Sequence, residues 1–121
     1  MDKEQALHQF WSSFGVVAYD ENTVPEGAEL PRITYSVSIS EFGQNTALTA
    51  SVWDRSTSWK SVTDISHLIA KKLYNGGYMM KYNNGMMWIR KGTPFMQRMS
   101  DPDDSIRRIY INIEVEYISE V

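Results

Sequence analysis

The sequence predicts an α+β domain in which two amphipathic helices pack on one face of a mainly antiparallel β-sheet. Two segments repeat apolar residues every three or four positions, which is typical of helices, and other segments alternate apolar with polar residues, as strands do. An Asn-Gly pair between two apolar runs adds a hairpin. At 121 residues and without cysteine, the chain is expected to form one domain, residues 1–121, with no disulfide.

The first helix is predicted between Asp2, a candidate N-cap, and Gly15, a natural stop. Its apolar stripe consists of Ala6, Leu7, Phe10, Trp11 and Phe14. Residues 16–19 then form a short apolar run that predicts a strand, and residues 20–31 are rich in acids, glycine and proline, which is typical of a loop.

Two strands are predicted in the middle of the chain, at residues 33–39 and 46–53, joined by a short connection at residues 42–45. The expected register follows from the hydrophobic pattern, because a shift by one residue would set serines and threonines against apolar side chains. It pairs Glu41 with Thr46, Ile39 with Leu48, Val37 with Ala50 and Tyr35 with Val52. Ser36, Ser38, Thr49 and Ser51 would then lie on a small polar face.

A second helix is predicted after Ser61, which has the capping-box spacing to Asp64, although the usual residue at that position is Glu or Gln. Gly76 and Gly77 are expected to end it. Its stripe consists of Val62, Ile65, Leu68, Ile69 and Leu73.

The hairpin around Asn84-Gly85 is predicted to join strands at residues 78–82 and 86–90. Both strands have apolar residues on both faces, so one face is expected to pack on the domain and the other on a partner. The last strand, residues 107–119, alternates strictly and would span about 40 Å, which suggests a sheet that continues beyond its own subunit. Its apolar face consists of Ile109, Ile111, Ile113, Val115 and Tyr117, and its polar face of Arg108, Tyr110, Asn112, Glu114 and Glu116.

The sequence contains no recognisable catalytic or metal-binding pattern. His8 and His67 lie on separate predicted helices, and an acidic turn at residues 101–104 has Ile106 and Asn112 where a calcium loop requires glycine and glutamate. We therefore expect no enzyme activity, cofactor or metal. The net charge of −3, the absence of a long apolar stretch and an N-terminus unlike a secretion signal predict a soluble cytoplasmic protein that binds neither membrane nor specific nucleic acid.

The methionine-rich hairpin is the best candidate for a protein contact, because methionine adapts to irregular surfaces; plain core packing is the equal alternative for each methionine. The predicted subunit or partner interface consists of Met79, Met80, Met86, Met87, Trp88, Arg107, Arg108 and Tyr110. The hairpin aromatics beside Lys81 and Arg90 leave open a second function, a small module that stacks single-stranded bases on its sheet.

Three short segments carry a resemblance to a known family: residues 94–97 (Pro-Phe-Met-Gln), 101–104 (Asp-Pro-Asp-Asp) and 106–112 (Ile-Arg-Arg-Ile-Tyr-Ile-Asn). They resemble the C-terminal part of minor capsid, tail-completion or tail-terminator proteins from long-tailed phages and prophages of Gram-positive bacteria. The size and the order of elements are also similar, whereas residues 45–60 show no family signature.

The resemblance implies a structural protein of the virion, located at the head–tail junction and assembled in the host cytoplasm. Such proteins form a ring, typically a hexamer, that caps the tail tube and joins the tail to the head. The implied partners are other copies of the chain, the tail tube protein and the head connector protein. A ring requires two different contact patches on each subunit.

Overall fold

The computed structural model describes residues 1–38 and 45–119. The described chain is an α+β fold with two α-helices and six strands. The helices are α1 (Lys3–Trp11) and α2 (Lys60–Lys72), and a short 3-10 turn (Ser12–Phe14) follows α1. The strands are β1 (Val17–Asp20), β2 (Arg32–Tyr35), β3 (Asn45–Arg55), β4 (Tyr78–Tyr82), β5 (Gly85–Met99) and β6 (Ile106–Ser119).

The sheet is mixed, with the strand order β1-β2-β3-β6-β5-β4. Four of its neighbouring pairs are antiparallel, and β1 and β2 are parallel. A parallel pair needs a connection that returns to the other end of the first strand, and residues 21–31 are long enough to do this between β1 and β2. Four of the five pairs thus agree with the predicted, mainly antiparallel sheet, and the β1–β2 pair makes the sheet mixed.

The predicted register between β2 and β3 is wrong by two residues. Tyr35 pairs with Ala50 and Ile33 pairs with Val52. A two-residue slip keeps every side chain on its face, so apolar residues still meet apolar residues and the hydrophobic pattern does not distinguish the two registers. The other predicted pairs, between Glu41 and Thr46 and between Ile39 and Leu48, involve positions outside the described residues.

The final strand is the centre of the sheet rather than an extension beyond it. β6 pairs with β3 from Ile106 to Glu116 and with β5 from Arg108 to Ser119. Its full length is therefore used within one chain. The predicted alternation is confirmed, since the apolar face of β6 is buried from Ile109 to Tyr117.

β5 is longer than predicted and continues past Pro94 to Met99. Its register with β6 shifts between Lys91 and Met96, so the intervening residues form a bulge opposite Asn112. The Asn112 side-chain amide donates to the Pro94 carbonyl at 2.9 Å. Pro94 can lie in this strand because the bulge removes it from the hydrogen-bonded ladder.

The two helix starts differ in how well the sequence predicted them. Asp2 caps α1 in a complete capping box with Gln5, as its carboxylate accepts from the Gln5 backbone N–H at 2.8 Å. The predicted capping box of α2 is wrong: the N-cap is Trp59, and the Ser61 hydroxyl donates to the carboxylate of Asp54 instead. A nearby acceptor on β3 thus competes successfully for Ser61.

The core combines the predicted stripes of both helices with the apolar face of the sheet. All five apolar residues of the α1 stripe are buried, and Val62, Ile65, Ile69 and Leu73 are buried on and just after α2. Leu68 is the exception, being 51% exposed. In the described part of the chain, neither helix has the length and apolar character needed to cross a membrane.

Candidate interaction surface

The side chains on the sheet face opposite the buried row of β6 form a surface of aromatic, methionine and arginine residues. We call these residues the open face: Trp53, Met79, Met86, Trp88, Arg90, Arg108 and Tyr110. Glu114 and Glu116 lie on the same side of the sheet, opposite Arg90 and Trp88. Strand alternation places them there, because residues directly paired across strands share a face and their chain neighbours point the other way. Each of these side chains is partly or largely exposed in the described structure.

One end of the open face is organised around Arg108. Its guanidinium carbon lies 4.5 Å from the centre of the Trp53 ring and 5.5 Å from that of Tyr110. Its Nε donates to the Ser51 hydroxyl at 2.9 Å, and the Trp53 indole N–H donates to the Thr34 hydroxyl at 2.9 Å. Cation–π stacking and two hydrogen bonds therefore hold both long side chains flat against the sheet.

The other end is organised around Arg90 and Trp88. The Arg90 guanidinium carbon lies 4.2 Å from the centre of the Trp88 ring, and the guanidinium also donates to the Asn45 side-chain oxygen. The Trp88 indole N–H donates to the Gly76 carbonyl at 2.8 Å, which links the hairpin to the end of α2. Met79 pairs directly with Trp88 and is 46% exposed.

The structure divides the predicted interface residues between the open face and the core. Five of the eight share the open face: Met79, Met86, Trp88, Arg108 and Tyr110. Met80 and Met87 are only 8% and 0% exposed and belong to the core, so they are not part of a subunit surface. The alternative of plain core packing holds for these two, because they pair with each other on the face that carries Ile89 and Val115.

Arg107 lies on the opposite face from Arg108. Its guanidinium donates to the carbonyls of Asp104, Ile106 and Thr57 at distances of 2.9 to 3.3 Å, and its carbon lies 5.4 Å from the Trp59 ring centre. These contacts join the turn before β6 to the segment before α2. We therefore assign Arg107 to holding the chain together.

Two residues of the open face, Trp53 and Arg90, were absent from the predicted interface. Trp53 follows Thr49 and Ser51 in the alternation of β3, so the sequence indicates on which face of the sheet it lies. The predicted interface omits Trp53 because its neighbours on that face are polar. Its pairing with Arg108 across strands more than fifty residues apart in sequence depends on tertiary structure.

His8 of α1 lies in a small cluster of polar side chains. His8 Nδ1 lies 2.9 Å from the Tyr35 hydroxyl, and His8 Nε2 lies 3.3 Å from the Ser12 hydroxyl. Burial, followed by the charges of Asp20 and Glu4, raises the pKa of Tyr35, so this hydroxyl stays neutral at physiological pH. A neutral phenol orients an imidazole but does not supply the negative charge that a carboxylate gives to a catalytic histidine.

The acidic turn before β6 is occupied by contacts within the chain. Asp103 accepts hydrogen bonds from the hydroxyl and the backbone N–H of Ser105 and lies 3.5 Å from Arg55, and these contacts lower its pKa. Across residues 1–38 and 45–119, no three His, Cys, Asp or Glu side chains come together in a way that would hold a metal ion.

Comparison with known proteins shows a shared fold. No protein-family model and no curated protein matches the sequence. A chain from the virion of a native gene transfer agent particle superposes with a TM-score of 0.68 at 12% identity, over 95% of this chain and 93% of that chain. At this identity the match establishes the fold, which the two chains share over nearly their whole lengths.

Proposed function

We propose that this chain is a non-enzymatic structural component of a virion, forming a ring that caps the tail tube and joins the tail to the head. The observation that carries the proposal is the fold shared, almost end to end, with a chain of a gene transfer agent virion. The resemblance of residues 94–97, 101–104 and 106–112 to tail-terminator proteins supports the finer assignment. In this proposal the partners are further copies, typically six in a ring, the tail tube protein and the head connector protein.

The architecture offers such a role a broad surface. Trp11 of α1 stacks on Tyr35 with ring centres 6.4 Å apart, and the buried residues of α2 belong to the same core. We therefore propose that both helices pack on one face of the sheet. The opposite face is then the open face. Its Trp, Tyr and Arg content matches the residue types that dominate binding energy at protein interfaces.

Particle analysis tests the proposal directly. Virions from the strain that carries this gene should contain the protein, and gold-labelled antibody should mark one position between head and tail. Deleting the gene should yield separate heads and tails of uncontrolled length. Particles that lack the protein, or a deletion strain that makes joined particles of normal tail length, would contradict the proposal.

The alternative function, binding of single-stranded nucleic acid, is less favoured by the geometry of the open face. Trp53 and Trp88 already stack with Arg108 and Arg90 of the same chain, so a base would have to displace a guanidinium from each ring. A fluorescence-anisotropy titration with oligonucleotides would reveal this function as binding that weakens steeply with added salt.

A further inference from the structure

The charges of this chain are segregated along its sequence. Residues 65–100 contain six basic residues and no acid, whereas residues 4–31 contain five acids and neither Lys nor Arg. The fold places parts of these segments at opposite edges of the sheet, because β1 and β4 are its outer strands. Acidic residues are therefore concentrated at one edge of the sheet and basic residues at the other.

One edge of the sheet is acidic. We call β1 with the following loop, residues 17–31, the acidic edge; its acids are Asp20, Glu21, Glu26 and Glu29. Arg32 offsets one of these charges from the neighbouring strand, where its guanidinium donates to the Ala28 carbonyl. Val17, 56% exposed, adds an apolar side chain to this edge.

The other edge is basic. β4 pairs with β5 only as far as Ile89, so among the described residues the rest of β5 has a strand neighbour on one side alone. We call β4 with residues 85–99 the basic edge; its cations are Lys81, Arg90, Lys91 and Arg98. Glu114 lies opposite Arg90 and offsets one charge, and Met79 and Met99 are 46% and 37% exposed.

The two edges cannot neutralise each other within one molecule. Five interstrand spacings of about 4.8 Å separate β1 from β4 by roughly 24 Å. That distance is about three Debye lengths at physiological ionic strength, so the attraction between the edges of one chain is largely screened. Neither ion pair between described residues, Arg55–Asp103 or Lys60–Asp64, involves a member of the two edges.

We propose that the acidic edge of one copy docks on the basic edge of the next copy. The contact joins opposite charges around exposed apolar side chains, and it covers the outer strands of the sheet, where an exposed edge favours aggregation. It is heterologous, since two different patches meet, and so it builds a ring when the rotation closes. This inference rests on the proposed function for the ring, while the docking itself is a property of the free protein.

Charge reversal tests the docking. Glu26→Lys with Glu29→Lys cancels the net charge of the acidic edge, because two acids then face two lysines, and Lys91→Glu with Arg98→Glu cancels that of the basic edge in the same way; all four side chains are exposed, so both variants should fold. Each variant alone should associate at least about tenfold more weakly than the wild type at low salt. An equimolar mixture of the two should form pairs, because the unchanged basic edge of the first variant meets the unchanged acidic edge of the second.

Sedimentation velocity across concentration and salt measures the effect, and circular dichroism verifies folding. The matched control is Lys60→Glu with Asp64→Lys, which reverses an exposed ion pair that contains no residue of either edge and should associate like the wild type. The docking would be overturned if the mixture contained no larger species than either variant alone. It would also be overturned if the wild type and the mixture were both monomeric at low salt. This assay needs no virion, so its failure would overturn only the docking. Absence of the protein from particles would instead contradict the proposed function.

Discussion

At the scale of one residue, the burial of Tyr117 makes the stability of the folded state depend on pH. Its ring is fully buried on β6 beneath Lys3, whose amine lies 4.7 Å from the ring centre, and its hydroxyl donates to the Ser38 carbonyl at 3.3 Å. Burial, with a smaller contribution from Tyr82, raises the pKa of Tyr117 to about 12. The folded state therefore resists ionisation of this phenol more than the unfolded state does.

We expect the Tyr117 contribution to stability to be complete below pH 10, where the phenol is neutral in both states. It should fall between pH 10 and about 12, because only the unfolded chain ionises there. Urea unfolding of the wild type and of Tyr117→Phe measures it. The variant should lose about 1 kcal/mol at neutral pH for its hydrogen bond and show a smaller decline above pH 10. Parallel curves above pH 10 would contradict the assignment.

A second prediction separates the hairpin methionines. Met87→Asp should cost several kcal/mol and leave the protein largely unfolded at 37 °C, because it places a charge in a fully buried site without a partner. Met79→Asp, on the other face of the same hairpin and 46% exposed, should change stability by less than about 0.5 kcal/mol. Thermal melts of both variants decide the matter, and equal melting temperatures would mean that the hairpin faces are misassigned.

At the scale of elements, the β4–β5 hairpin forms where Asn-Gly predicts it, but its glycine is required for a different physical reason. Glycine in an Asn-Gly hairpin turn ordinarily adopts positive φ, but here Asn84 has the positive φ, at 69°, and Gly85 does not. Gly85 is needed for space instead. An added Cβ there would run into the Ile118 carbonyl and lie 2.8 Å from the Tyr82 hydroxyl oxygen. The requirement comes from β6, which is remote in sequence.

The helix starts provide a prediction at this scale. Asp2→Ala should destabilise the protein by about 1 kcal/mol, since it removes the acceptor of the capping box. Asp64→Ala should cost only a few tenths of a kcal/mol, because Asp64 contributes an exposed ion pair with Lys60 and no cap. Chemical denaturation of the two variants compares them. A loss of stability of about 1 kcal/mol or more in Asp64→Ala would mean that Asp64 does take part in a capping box at α2.

At the scale of the whole molecule, the open face is a further contact surface that overlaps the basic edge at the β4–β5 hairpin and extends beyond it to Tyr110. Tyr110→Glu should leave the fold intact, because this half-exposed side chain lies beside Arg108, but it should reduce the yield of joined particles when it complements a deletion. The control is Leu68→Glu on α2, equally a large-to-acidic change at an exposed site. Normal particle yield from a folded Tyr110→Glu protein would remove the open face from the proposed interface.

The amino-acid sequence determined the local structure of this protein almost alone. Apolar spacing placed both helices, Asp2 started the first, Asn-Gly made the hairpin, and strict alternation showed that β6 has one buried face. These features depend on residues within a few positions of each other, so one strand or one turn contains the whole signal.

Only the tertiary structure decided how the strands are arranged beyond the predicted β2–β3 and β4–β5 neighbours, and with that arrangement the candidate surface. The parallel β1–β2 pair, the two-residue difference in the β2–β3 register and the central position of β6 arise from contacts between distant segments. A period of two repeats identically after a slip of two residues, so the pattern could not select the register. For the same reason, the meeting of Trp53 with Arg108 and the burial of Met80 and Met87 follow from assembled packing rather than from any local motif.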